Sequence, residues 1–240
     1  MTSSTTTTIV IALRRRDAPR VATTTGLEGF LDALGFMRAR RNLDVALPTL
    51  VEAGFLRRVQ KGLFLNTLAQ PPAVLDEVAP FLRSGAVISL QRLLGATGVA
   101  NNPTPLITAV VPLSAERPAP SLGQVNTALG AFRFHGIQES VLLAGNPEDR
   151  LIALGSRPIP GKVPLATPEK ALIDWIYLAH TPRNRIGGEP PAWDMDVTLL
   201  DRARFLRLAR AAEMTRVARD WFNRCRANQD LEDREGMGPG

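Results

Sequence analysis

The sequence predicts an α+β chain, with an N-terminal winged helix-turn-helix over residues 1–70 and a mixed α/β domain over residues 71–240 that ends in helices. Three observations predict it. From Arg38 to Asn66 the chain reads as a helix, a glycine stop and a short two-stranded ribbon with a basic turn. Gln70-Pro71-Pro72 breaks the pattern, and after it runs of strand texture such as LITAVV (106–111) alternate with helical ones. Thr167-Pro168-Glu169 then opens a well-marked helix, and a long basic helical stretch follows.

In chain order, Met1 to Thr8 is a Ser/Thr-rich tail expected to be disordered, and Ile9 to Arg16 is expected to be the first helix. Thr25-Gly26-Leu27-Glu28 matches a capping box, with Leu27, Phe30, Leu31 and Leu34 at helical spacing before a stop at Gly35. In the next helix Leu43, Ala46, Leu47, Leu50 and Val51 share one face, and Gly54 ends it. The opposite face carries Arg38, Arg41, Asn42, Val45 and Thr49. Pro48 lies in the middle, at a cost of ~3 kcal/mol in a straight helix. The helix is therefore either kinked there, keeping Arg41, Asn42 and Val45 on it, or begins near Pro48 and leaves them in a loop. Phe55 to Val59 and Leu63 to Asn66 are strands joined through Gln60, Lys61 and Gly62. A cationic helix face beside a basic hairpin is what a winged helix presents to a DNA major groove.

In the second domain a helix is expected over Ala73 to Leu82, interrupted at Pro80, and another over Leu90 to Leu94. Strands are expected at 106–111 and 131–137, with a further one at Leu151 to Leu154. Thr167 caps a helix with Leu172, Trp175, Ile176 and Ala179 on its apolar stripe. Thr181 to Trp193 is a loop. Asp196 to Arg226 is one long helix or two, with Met214, Val217, Ala218, Trp221 and Cys225 on one face, and the last fourteen residues are expected to be a mobile tail.

The net charge of +6 is unevenly spread. Residues 1–70 carry +5, residues 71–200 carry −1, residues 201–226 carry +5 and the remainder −3. Two basic blocks suit polyanionic partners. Solvated charge is the competing explanation; DNA is favoured for the first block and solvated charge for the second. No apolar run approaches the ~18 residues of a membrane span, so no membrane partner is expected. The opening residues place their arginines after a five-residue apolar run, the wrong order for a secretory leader. One cysteine, Cys225, excludes an internal disulfide and fits a reducing cytoplasm.

Catalytic signatures are missing. Two histidines and one cysteine cannot supply a usual Cys/His metal site, so neither metal nor cofactor is expected. His135 reads as a hydrogen-bonded structural residue, His180 as a helix C-terminal cation and Cys225 as a packed thiol. Gly161-Lys162 resembles the end of a phosphate loop, but Val163 stands where Ser or Thr is required. Lys170 and Asp174, four apart, read as a surface ion pair of little worth, and Trp175 and Tyr177 as core. No catalytic residue is assigned.

The order of these segments, LPTLVEAGFLRRVQKGLFLN, SGAVISLQRLLGATGV, ITAVV, FRFHGI and ATPEKALIDWIYL, resembles the AbiEi family of bacterial antitoxins from type IV toxin–antitoxin systems. The resemblance covers roughly residues 10–180. It implies a winged helix that binds double-stranded operator DNA and represses its own operon. It also implies a second domain that counteracts a nucleotidyltransferase-like toxin without necessarily binding it tightly. By motif position DNA contacts fall on Arg38, Arg41, Asn42, Val45 and Thr49, with Arg57, Arg58 and Lys61 on the wing. Arg41 and Asn42 have donor geometry for base edges, whereas Arg57, Arg58 and Lys61 would hold phosphates; Arg57 and Arg58 as merely solvated hairpin charges are the alternative. Winged helices often read inverted repeats as dimers, which leaves a homodimer on DNA open. A stand-alone regulator with a ligand-sensing or dimerising second domain shares every N-terminal feature, and a nucleotide-handling enzyme is the third reading.

Overall fold

The computed structural model describes residues 4–36, 39–116, 120–153, 157–159, 161–182 and 186–236. The chain is α+β and divides into two compact units. The first comprises residues 1–78 with the short segments 126–130 and 160–162, and the second comprises the rest. The division at Val78 keeps residues 71–78, expected in the second domain, with the first unit, where Glu77 is bonded to Arg20.

The first unit runs α1 (Ser4–Leu13), β1 (Val21–Thr23), α2 (Thr24–Ala33), α3 (Ala39–Glu52), β2 (Leu56–Gln60) and β3 (Leu63–Asn66). Its sheet has the order β1-β3-β2, antiparallel throughout. Three features differ from expectation. The Ser/Thr-rich start is helical from Ser4, because Thr6, Ile9, Ala12 and Leu13 bury one side of α1; tertiary packing outweighs the modest helix propensity of threonine. Strand β1 was not anticipated; three residues are too few to show alternation, and its register on Leu63–Leu65 is set by long-range pairing. Helix α2 is capped by Thr23 rather than Thr25: the Thr23 hydroxyl accepts from Gly26 N at 3.0 Å, and Glu28 reaches Arg40 instead of the cap. Leu27, Leu31, Leu43, Ala46, Leu50, Leu56 and Phe64 form the shared core.

Helix α3 runs unbroken through Pro48, so Arg41, Asn42 and Val45 are helical and not in a loop. Pro48 is exposed, which puts the Asp44 carbonyl it cannot serve on the solvent side, where water can. Gly54 at φ +73° ends the helix, its N–H donating to Val51 O and that of Phe55 to Leu50 O.

The first unit's main run ends in a 3₁₀ turn (Leu75–Val78) and the second begins with α4 (Ala79–Leu82), so Ala73 to Leu82 is not one helix. There follow β4 (Val87–Ile88), α5 (Leu90–Ala96), β5 (Ile107–Leu113), β6 (Gly123–Thr127), β7 (Gly130–Gln138), α6 (Glu139–Leu142), α7 (Pro147–Arg150), α8 (Pro168–His180), α9 (Arg202–Ala211) and α10 (Thr215–Gly236). The sheet order is β4-β5-β7-β6, with β5 parallel to β7 and Val110 opposite His135. Leu151 makes only an isolated bridge to Ala166, not a strand, and Leu154 lies outside the described residues. The terminal region is two helices, and residues 227–236 continue α10 where a mobile tail was expected. Trp221 and Cys225 on α10 are fully buried, and Phe205 of α9 packs on Trp221 and Phe222. Among the described residues, no helix is long and apolar enough to cross a membrane.

A polar cluster lies within the apolar core of this unit. Lys170 and Asp174, one turn apart on α8, are ion-paired and buried at 2% and 0% exposure. Ser89 donates to the second Asp174 oxygen at 2.9 Å, while its carbonyl accepts from the Thr108 hydroxyl at 2.7 Å. The expected surface pair is thus a core pair. Its burial was not legible because nearly every α8 position from Glu169 to Leu178 is buried, so no solvent face marks the helix's outside. Leu90, directly after Ser89, sits at φ +58°, a conformation a non-glycine residue holds only where its surroundings impose it.

Candidate nucleic-acid interface

The expected DNA-facing residues fall into two exposed groups of the first unit. On α3 the buried residues Ala39, Leu43, Ala46 and Leu50 set the inner face, so Arg41, Asp44, Val45 and Pro48 are turned to solvent, with Asn42 and Thr49 half-buried at its margins. Val45 is 70% exposed, an unpartnered isopropyl group at the centre of a polar helix face. Arg38 lies outside the described residues.

Two arginines adjacent in sequence have opposite fates. Arg40 donates to Asp44 at 3.1 Å and to Glu28 at 3.3 Å, and these carboxylates raise its pKa, the Asp44 bond most. Arg41 has no such partner among the described residues. Arg40 is therefore neutralised by its own fold, whereas the Arg41 guanidinium keeps all its donors available.

The second group lies on the β2–β3 hairpin. Leu56 and Val59 point into the core, leaving Arg57, Arg58 and Gln60 exposed, and the register shifts between Arg58 and Gln60. That irregularity is why two consecutive arginines both reach solvent, contrary to strict alternation. Arg58 lies over the Phe64 ring at 5.9 Å, which orients its guanidinium. Lys61 and Gly62 make the turn, Gly62 at φ +73°, and Lys61 is exposed.

The second basic block is different. On α9, Arg207 donates to Asp149 at 2.7 Å and 3.1 Å and holds that carboxyl below its ordinary range. Arg204 pairs with Asp149 and Glu169, Arg202 lies over Phe222, and Arg224 pairs with Glu189. Half of the eight arginines between 201 and 226 thus have intramolecular partners.

Of the reactive residue types, His135 is buried in β7. Desolvation first, and the Arg133 charge second, lower its pKa to about 4, so it is neutral. Cys225 is pushed up to about 12 by burial, an inert thiol. His180 Nε2 faces Glu189 at 2.5 Å. Among the described residues no three His, Cys, Asp or Glu side chains group as metal ligands.

Comparison with known proteins adds the fold alone. No family model and no curated protein matches the chain. The crystal structure of the RV2827C protein from Mycobacterium tuberculosis is similar, with a TM-score of 0.52 and 20% identity over 95% of this chain and 80% of that one.

Proposed function

We propose that the first unit is a winged helix-turn-helix and that the chain is a DNA-binding antitoxin and autorepressor of the AbiEi kind. The observation that carries the DNA half is the sorting of charge on the first unit. Arg41, Arg57 and Lys61 are exposed and unpaired among the described residues, around a helix face whose centre is the exposed Val45. Such an arrangement suits a duplex: Arg41 bidentate to a guanine edge, the Val45 methyls against a thymine methyl, and Arg57, Arg58 and Lys61 on phosphates. The helix–strand–helix–helix–strand–strand order and the β1-β3-β2 sheet support the winged-helix reading. Counteraction of a nucleotidyltransferase-like toxin rests on the segment order from residue 10 to 180 described above.

The test is binding to the DNA upstream of the gene, by fluorescence anisotropy across a salt series with random duplex as control. If about four to six phosphates are neutralised, log K falls with log salt at a slope of roughly −4 to −5. A flat response, or equal affinity for random DNA, removes the reading. Toxin rescue is tested with the neighbouring gene under a foreign promoter.

A stand-alone regulator with a ligand-sensing second unit is the other reading. It is favoured by a concavity of about 370 Å³ in that unit, lined by Trp193, 66% exposed, with Asn101 and Asn228. Failure to rescue, with operator binding intact, would select it.

A further inference from the structure

The first unit has a second basic feature that the DNA reading does not use. Between α1 and β1 the chain carries Arg14, Arg15, Arg16 and Arg20, and these, with Gln70 and Lys162, line one concavity of about 510 Å³. That volume is within the range of about 300–1,000 Å³ typical of small-molecule sites. Five of the lining residues are cations, and two carboxylates, Asp17 and Glu77, pair with two of them. The carboxylates are committed. Asp17 holds Arg15 through two bonds of 2.9 and 3.0 Å, and Glu77 holds Arg20 through two of 2.7 and 2.8 Å. The side chains of Arg14, Arg16 and Lys162 have no partner among the described residues.

Lys162 is placed, not merely near. Its backbone N–H donates to Glu77 Oε2 at 3.1 Å, while Val74 N donates to Glu77 Oε1 at 2.9 Å. Gly161 adopts φ +103°, and a Cβ there would stand 2.5 Å from Glu77 Oε1. Only glycine lets the turn close on that carboxylate, so one buried Glu77 fixes both Arg20 and the Gly161-Lys162 turn. The pair that lacks the hydroxyl of a phosphate loop is thereby presented beside three arginines.

The concavity lies apart from the DNA-facing hairpin turn. Strand β1 enters the sheet with Val21 opposite Leu65 and leaves with Thr23 opposite Leu63, beside the turn. Asn66 donates to Leu13 O at 2.9 Å and Pro19 O at 3.2 Å, pinning the arginine segment at the end of β3 away from Lys61. A duplex lying on α3 and the hairpin turn would not need this concavity.

We propose that it is a binding site for a phosphorylated small molecule, with a polyphosphate chain of the kind nucleotides carry held by Arg14, Arg16 and Lys162. Guanidinium forks and an ammonium around one recess match the several oxygens of such a chain.

Calorimetric titration of the full chain with inorganic tripolyphosphate tests this, comparing the wild type with R14A/R16A, K162A and a control double variant on α10, R216A/R219A. Binding by the wild type and the control, weakened about tenfold or more by R14A/R16A and by K162A, is the expected result, since one charge-assisted bond is worth that much. The substituted arginines are exposed, so the variants should melt like the wild type. No binding by the wild type, equal weakening in both double variants, or unchanged binding in R14A/R16A overturns the proposal. So does a loss in R14A/R16A of duplex affinity alone, which would make these residues DNA backbone contacts.

Discussion

Replacing Glu77 by glutamine removes one negative charge at the point where the first unit is tied together. Its carboxylate accepts from Arg20 Nε and a terminal Arg20 nitrogen, and from the backbone N–H groups of Val74 and Lys162. The side chains of Glu77 and Arg20 are only 4% and 12% exposed. Glutamine keeps one acceptor oxygen but brings an NH₂ against donors, so two or more of the four bonds are lost. Arg20 would retain Pro71 O and Pro72 O at 2.5 and 3.1 Å, which spares part of the cost of stranding a buried cation. The expected loss is about 3 kcal/mol, the lower end of what breaking a buried pair costs.

The pH dependence is a second readout of the same residue. Burial, the largest influence, raises the Glu77 pKa, but the Arg20 bond, the Val74 and Lys162 N–H groups and the Arg20 charge together outweigh it and leave the carboxyl below its ordinary value. For a lowered carboxylate the unfolded chain binds the proton first, so its stabilisation is complete above about pH 4.5 and is lost as pH falls through the folded value. Urea unfolding of the wild type and E77Q at pH 7 and pH 3 should show a large difference at pH 7 that shrinks at pH 3. A difference under about 1 kcal/mol at pH 7 would mean the pair behaves as a solvated one and would refute the account of how the Gly161-Lys162 turn is held.

Four further outcomes are expected. Lys170→Met should destabilise by about 3–5 kcal/mol in urea unfolding by stranding the buried Asp174, and a cost within 1 kcal/mol would return the pair to the surface. Arg41→Ala should lose about 1–3 kcal/mol on the specific operator and relax its sequence preference in anisotropy, whereas uniform loss on all duplexes would make it a phosphate contact. His135, neutral when folded with a pKa of about 4 against about 6.5 unfolded, should make stability fall as pH drops between those values, by about 3 kcal/mol, since the unfolded state takes the proton first; His135→Gln should flatten that slope in pH-dependent unfolding. Thr23→Ala should cost about 0.5–2 kcal/mol by uncapping α2, while Thr25→Ala should change thermal stability little.

What the sequence disclosed depended on whether a residue's partner lay close along the chain. Helix α3, the β2–β3 hairpin, the Gly54 stop and the Thr167 cap are all local: periodicity over one helix face, a glycine of positive φ, and a hydroxyl three residues from the N–H it receives, Lys170 N at 3.2 Å. Strand β1 and the helicity of Ser4–Leu13 depend on β3 and on the core beyond it, so nothing within their own residues announced them. The same distinction governs the candidate interface. Exposure of Arg41 and Val45 followed from helical spacing, but the neutralisation of Arg40 by Glu28, twelve residues back, did not.

Charge counts alone gave the two basic blocks equal weight, and the structure separates them by what their arginines touch. In 201–226 the acids that answer Arg204, Arg207 and Arg224 come from Asp149, Glu169 and Glu189, far off in sequence, so these three arginines serve the unit's own packing. In the first unit, among the described residues, the acids answer only Arg15, Arg20 and Arg40. What remains is two sets of unanswered cations: Arg41, Arg57 and Lys61 on an exposed helix and hairpin, and Arg14, Arg16 and Lys162 around a recess. An extended face and a recess select differently shaped anions, so the two sets should respond to different competitors. Tripolyphosphate at concentrations that fill the recess should leave operator affinity unchanged once ionic strength is matched, and competition between them would show that both sets grip one ligand.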